Sequence, residues 1–198
     1  MSFDGKLKTD TTAEVAGFVS RHAEAHGKQK IFGFAKNDFI VYPAHGVGQI
    51  VSIEEQIIAG ASLEFFVIYF AKVKLTVRVP IRKAAHVGMR SPSDLASVQH
   101  VKKILGELPR RGRGTWSRLA LEYASKIKSG DVAAIAEVVR DLYRPGIESA
   151  QSFSERQLYE TALDRLCEEM ALVDGISKDQ SVEDVEGRLR ATKLKRIA

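Results

Sequence analysis

The sequence predicts an α+β protein of two modules, a small curled antiparallel β sheet or barrel followed by an all-helical bundle. Three observations predict it. Between Phe34 and Met89, short runs of β-branched and aromatic residues are punctuated by Gly and Pro. From Ser91 onward the apolar residues recur every three or four positions instead of every two. Strands and helices are segregated along the chain rather than alternating, which implies two separate cores. A length of 198 residues with 44% hydrophobic content can fill two such cores.

Residues 1–33 read as a flexible N-terminal extension. The stripe formed by Val15, Phe18, Val19 and His22 is thin, enough for at most a loosely docked helix. The β module spans residues 34–90. Phe39 to Tyr42 form a strand that ends at Pro43, and His45 to Gly48 form a tight turn needing positive φ. Gln49 to Ile58 and Glu64 to Phe70 are the next two strands, separated by Gly60. Leu75 to Val79 is the fourth, with Leu75, Val77 and Val79 facing one way and Thr76 and Arg78 the other. The helical module spans residues 91–175. Ser93 or Asp94 caps a helix to about Leu108, with Leu95, Val98, Val101 and Leu105 on its inner face. A second helix runs from near Thr115 to Ser129. Asp131 caps a third, with Val132, Ile135, Ala136, Val139 and Leu142 inward. A fourth starts at Ser152 or Ser154, turns Leu158, Ala162, Leu166 and Met170 inward, and ends at Asp174-Gly175. Residues 176–198 hold a short helix over 182–192, capped by Ser181 and Asp184, and a basic tail.

Bulk properties narrow the function. The formal charge of +5 and a pI of about 9.3 favour a polyanionic partner. A single cysteine, Cys167, forms no internal disulfide and fits a reducing compartment. Without an apolar run near the ~20 residues of a membrane span, or a signal-peptide core, a soluble cytoplasmic protein without membrane contact is expected. His45-Gly46-Val47-Gly48 lacks the third glycine of a dinucleotide fingerprint, and a strand follows it. His22 and His26 stand four apart without a third ligand nearby. No nucleophile, paired-acid or phosphate-loop motif is present, so the expectation is a monomeric non-enzyme without metal or cofactor.

Charge is concentrated between Lys102 and Lys128. Eight basic residues there face only Glu107 and Glu122, a net of six positive charges, more than the +5 of the whole chain. At its centre Arg110, Arg111 and Arg113 alternate with glycines ahead of Trp116, the only Trp, and Arg118 and Lys126 follow. A basic patch enclosing an aromatic is the footprint of a nucleic-acid contact. Trp116 itself has two readings. With Leu119, Tyr123 and Ile127 it falls on one helical stripe, which favours core packing. At the first turn of a helix beside arginines, it could also press its ring against an unstacked base or enter a minor groove. In the β module, adjacent Ile57 and Ile58 leave one apolar side chain facing away from the core of a regular strand. Unless both faces are covered within the protein, the edge near Gln56, Ile57 and Ile58 suits strand addition by a partner.

The stretches FIVYPAHGVGQI (Phe39 to Ile50), LTVRVP (Leu75 to Pro80), TWSR (Thr115 to Arg118) and SGDVAAIAEVVRDL (Ser129 to Leu142) resemble, in order and spacing, the CarD / CdnL family of bacterial transcription regulators. The resemblance covers roughly Phe34 to Leu172. It implies a Tudor-like β domain that binds the β subunit of RNA polymerase. It also implies a helical domain that touches promoter DNA at the upstream edge of the transcription bubble and stabilises the open complex. Trp116 then takes the family's minor-groove wedge, with Arg110, Arg111, Arg113, Arg118 and Lys126 as its basic surround. Arg78 takes the place of the arginine in the family's RVP strand, within a polymerase contact that includes Gln56, Ile57 and Ile58. Gln56 and Leu121 stand where some relatives carry basic residues, so contacts at those two points are not charge-based here. The resemblance implies a cytoplasmic, nucleoid-associated protein. The alternative from the basic patch alone is a non-specific nucleoid-type DNA binder acting without polymerase.

Overall fold

In a computed structural model that describes residues 30–110, 112, 114–144 and 152–197, four antiparallel strands precede five α-helices. The strands are β1 (Phe39–Tyr42), β2 (Gly46–Ile58), β3 (Ala61–Phe70) and β4 (Leu75–Pro80), hydrogen-bonded in that order as a curled sheet. The β2–β3 hairpin closes on Ala59-Gly60, with φ of +51° and +80°, the twist a two-residue hairpin needs. A bulge at Val51, between the pairs Ile50↔Ile68 and Ser52↔Val67, sharpens the curl. Ile40, Ile50, Phe66, Ile68, Phe70 and Val79 fill its concave side, and Ile81, Ala84 and Met89 close it. Ile31 bridges Phe34 and packs on this core, and Phe34 meets Phe66 edge-on at 5.9 Å.

The turn expected over His45 to Gly48 lies instead at Pro43 to His45, and both glycines begin β2. Gly46 keeps the positive φ, +83°. Gly48 serves a different need: a Cβ there would stand 2.7 Å from Phe70 and 2.8 Å from Ile68. Its missing side chain is what lets β3 close over the sheet.

The helices are α1 (Leu95–Leu105), α2 (Trp116–Ser129), α3 (Val132–Leu142), α4 (Phe153–Asp174) and α5 (Lys178–Ile197). Asp94 caps α1 by accepting from Ser97 N at 2.8 Å. Asp131 caps α3, and Ser152 caps α4 in a full capping box with Glu155. Gly130 and Gly175 end α2 and α4 in the left-handed conformation. Val98, Val101 and Leu105 of α1 are buried as expected. Leu95 is not: at the first position of α1 it is 62% exposed, and Ala96 beside it is exposed too.

The larger correction concerns the C-terminus. α5 is 20 residues long, not a short helix over 182–192. Its capping box lies four residues before the expected one: Gln180 N donates to Ser177 Oγ, and Ser177 N to Gln180 Oε1. Ser181 is instead buried, and Val185 and Leu189 join the helical core. That core is separate from the sheet's, so two cores form as the segregated pattern predicts.

Candidate nucleic-acid interface

Trp116 opens α2. Its ring packs part-buried against the helical core, with Leu119, Tyr123 and Ile127 buried behind it along the same stripe. Its indole N–H donates to Ser154 Oγ, at the start of α4, at 2.9 Å. The core-packing reading of Trp116 is met in part: the ring leans on the core without being sealed in it. Thr115 at the N-cap is exposed and makes no side-chain cap bond, so the first-turn N–H groups of α2 lack that usual acceptor. Arg118 points outward, exposed, as do Leu121 and Lys128.

The start of the basic loop is tied to α3. Asp141, buried, accepts from the backbone N–H of Arg110 at 2.9 Å and from Arg140 Nε at 2.8 Å. Arg140 also reaches Glu107 at 3.3 Å, and Glu107 meets the exposed guanidinium of Arg110 at 3.1 Å. Arg111 and Arg113 lie outside the described residues. Lys126 is engaged by two carboxylates, Glu137 at 2.9 Å and Glu122 at 3.7 Å. Partial burial works against its charge, but these carboxylates hold its ammonium above the usual lysine range. It is therefore a less open cation than Arg118.

On the sheet, Arg78 pairs with Glu54 at 3.2 Å. The register sets Arg78 beside Val67 and Val67 beside Ser52, so Arg78, Glu54, Gln56 and Ile58 share one face and Ile57 takes the other. Ile57 and Ile58 are 80% and 47% exposed; neither is covered. β2 is interior in the strand order, yet β1 pairs only with Gly46 to Gln49. Among the described residues, β2 beyond Val51 pairs on one side alone, and that is the open edge the sequence pointed to.

The two surfaces are joined by a polar clamp. Glu169 on α4 accepts from both terminal nitrogens of Arg90 at 2.7 and 2.8 Å, and from Ser93 N and Oγ at 2.9 and 2.6 Å. Arg90 also donates to Gly130 O at 2.6 Å, and Arg165 donates to the carbonyls of Pro43 and Ala44. Lys72 on the sheet side pairs with Asp164 on α4. The charged residues of this clamp carry no sequence signal, because nothing local marks an ion pair more than seventy positions apart.

Glu168 lies in the same seam and carries a pH dependence. Desolvation pushes its carboxyl above the ordinary value of 4.5, only partly offset by Lys72, the Val47 N–H, Lys178 and Arg165. A raised carboxyl binds more protons folded than unfolded, so its contribution to stability falls as pH rises from 4.5 through the folded-state value. Glu168→Gln is therefore expected to melt higher than wild type at neutral pH, with the gap closing below pH 4.5. Melting curves across that range check it; a gap independent of pH would exclude Glu168 as the cause.

Cys167 is fully buried, and burial pushes its thiol up to about 11, which suits a packing role. Among the described residues, no His, Cys, Asp and Glu cluster suits a metal, and no helix is long and apolar enough to cross a membrane.

Comparison with known proteins matches these two modules in turn. Residues 34–92 match the CarD-like/TRCF RID domain, and residues 100–186 match the CarD C-terminal domain. The putative transcription factor YdeB of Bacillus subtilis (strain 168) is 31% identical over 147 residues, which cover 74% of this chain and 96% of YdeB. With both modules matched in order and a relative aligned across nearly its whole length, the chain belongs to the CarD family of transcription regulators.

Proposed function

We propose that this chain is a non-catalytic regulator that docks its β module on the β subunit of RNA polymerase and sets α2 against promoter DNA at the upstream edge of the transcription bubble. The observation that carries the reading is Trp116. It is a large aromatic left part-exposed at a helix start without a side-chain cap, beside Arg118 and just after the Arg-Gly loop. Phosphate contacts from Arg110, Arg111, Arg113 and Arg118 would orient the helix, with Lys126 a weaker contributor because of its glutamates. An apolar wedge and phosphate contacts read little base identity, so sequence preference is expected to be low. The open edge of β2, with Gln56, Ile57 and Ile58 at its end and Arg78 on the same sheet, supports strand addition by polymerase. The match to a RID domain supports the same docking.

The wedge suits distorted or opened DNA. A ligand that binds the open complex more tightly than the closed one shifts the balance by that difference alone. A differential of ~1.4 kcal/mol would change the open-to-closed ratio about tenfold.

Recruitment is tested with Arg78→Glu. The Arg78–Glu54 pair is exposed on both sides, so its loss costs the fold little, ~1 kcal/mol or less. Against immobilised polymerase core, wild type should be retained and Arg78→Glu should bind at least ~10-fold more weakly, while binding to free duplex DNA is unchanged. Wild type that binds DNA but not polymerase would instead indicate a nucleoid-type binder.

A further inference from the structure

We infer that Ser154 is a positioning residue for Trp116, fixing the indole in the pose that meets DNA; this rests on the reading of Trp116 given above. Ser154 is exposed, in the first turn of α4, and its side chain is not the cap of that helix, which Ser152 provides. Its hydroxyl accepts from Trp116 Nε1 at 2.9 Å and lies 3.2 Å from the hydroxyl of Ser152. Ser152 is itself held by the capping box of α4. Its Oγ accepts from Glu155 N at 3.3 Å, its N–H donates to Glu155 Oε2 at 3.0 Å, and Glu155 is buried. The bond to the indole is therefore anchored on a capped helix start and not on a loop.

A tryptophan side chain has two torsions. Packing of one face against the helical core and a hydrogen bond at one edge restrict both. Two consequences follow for a DNA contact. A ring already held in place has less freedom to lose on insertion, so more of the stacking free energy appears as binding. The indole N–H is a donor only, with one hydrogen, and Ser154 uses it. The ring that remains offers carbon surface and no hydrogen bond to a base edge. Ser154 thereby makes the wedge sequence-tolerant as well as fixed.

Trp116 is the only tryptophan, so its fluorescence reports this contact without interference. The test compares wild type, Ser154→Ala, Ser154→Thr and Trp116→Ala, each as the full chain. Acrylamide quenching and anisotropy of the indole, for the variants that keep it, are measured alongside open-complex lifetime with polymerase holoenzyme on a promoter that opens poorly. Ser154→Ala is expected to raise quenching, lower anisotropy and shorten the lifetime about two- to ten-fold, with polymerase binding unchanged. Ser154→Thr, which keeps the hydroxyl, is expected to keep all three readouts near wild type. A lifetime unchanged or lengthened in Ser154→Ala, while Trp116→Ala still shortens it, would overturn the positioning role and leave the wedge standing. A lifetime insensitive to Trp116→Ala would overturn both together.

Discussion

Trp116→Ala is expected to shorten the open-complex lifetime by roughly ten-fold or more on a weak promoter while leaving the protein bound to polymerase. Base–aromatic stacking is worth ~1–3 kcal/mol, and ~1.4 kcal/mol is one factor of ten, so loss of the ring alone reaches that size. The competing role of Trp116, as a core residue, makes a different prediction. A fully buried Trp cut to Ala costs ~3–5 kcal/mol and would unfold much of the helical module. Here the ring is only part-buried, so truncation leaves a surface notch next to Leu119 and not a sealed cavity. The fold loss should therefore be smaller, ~1–2 kcal/mol, and the variant should remain folded at the temperature of a transcription assay. Far-UV circular dichroism and retained polymerase binding verify that. A folded variant with a normal lifetime would sink the wedge; a variant that unfolds would return Trp116 to the core.

Local chemistry made much of the fold legible. Asp94, Asp131 and Ser152 each cap the helix that their position ahead of an apolar stripe predicts. The alternation in LTVRVP sets Val77 and Val79 on the sheet core and Arg78 outside. These are short-range rules, acting within one turn or one strand. Periodicity places Leu95 on the inner face of α1 but does not show where the opposing surface ends, and Leu95 is exposed. The β2 edge was legible as an apolar excess at Ile57-Ile58, but not that β1 stops after Gln49 and leaves β2 open midway. In the candidate site, Trp116 and its arginines stand out by type alone. The occupancy of Lys126 was half legible, since Glu122 lies one helical turn before it, while Glu137 comes from another helix. Arg140-Asp141 inside an apolar helix was a usable signal of a buried ion pair, because charges at core positions must be partnered. Ser154 looked like one of two alternative caps; the structure frees it for the indole by giving the cap to Ser152.

Glu169→Ala is expected to have the largest effect on the fold and also to weaken the open complex without touching either binding surface. The Glu169 side chain is 4% exposed and accepts four hydrogen bonds, two from Arg90 and two from Ser93. Removing one partner of a buried pair costs ~3–5 kcal/mol, because the other charge stays desolvated. Arg90 remains about a third exposed and keeps its bonds to Gly130 O, so a discounted ~2–3 kcal/mol is the better expectation. For a chain of this length that lowers the melting temperature by roughly 5–10 °C. The functional loss has a separate cause. Arg90 ends the β module, reaches Gly130 at the end of α2 and pairs with Glu169 of α4, so this pair is expected to contribute, with the Arg165 and Lys72 contacts, to the angle between the sheet edge and α2. A bridge between polymerase and DNA needs both contacts made at one geometry, and a loosened angle spreads the same contacts over many geometries. Recruitment to polymerase should survive, open-complex lifetime should fall, and Arg90→Ala should add little to Glu169→Ala, since the two share one interaction. Additive losses in that double-mutant cycle, or a melting temperature within about 1 °C of wild type, would mean that apolar packing and not this clamp holds the modules together.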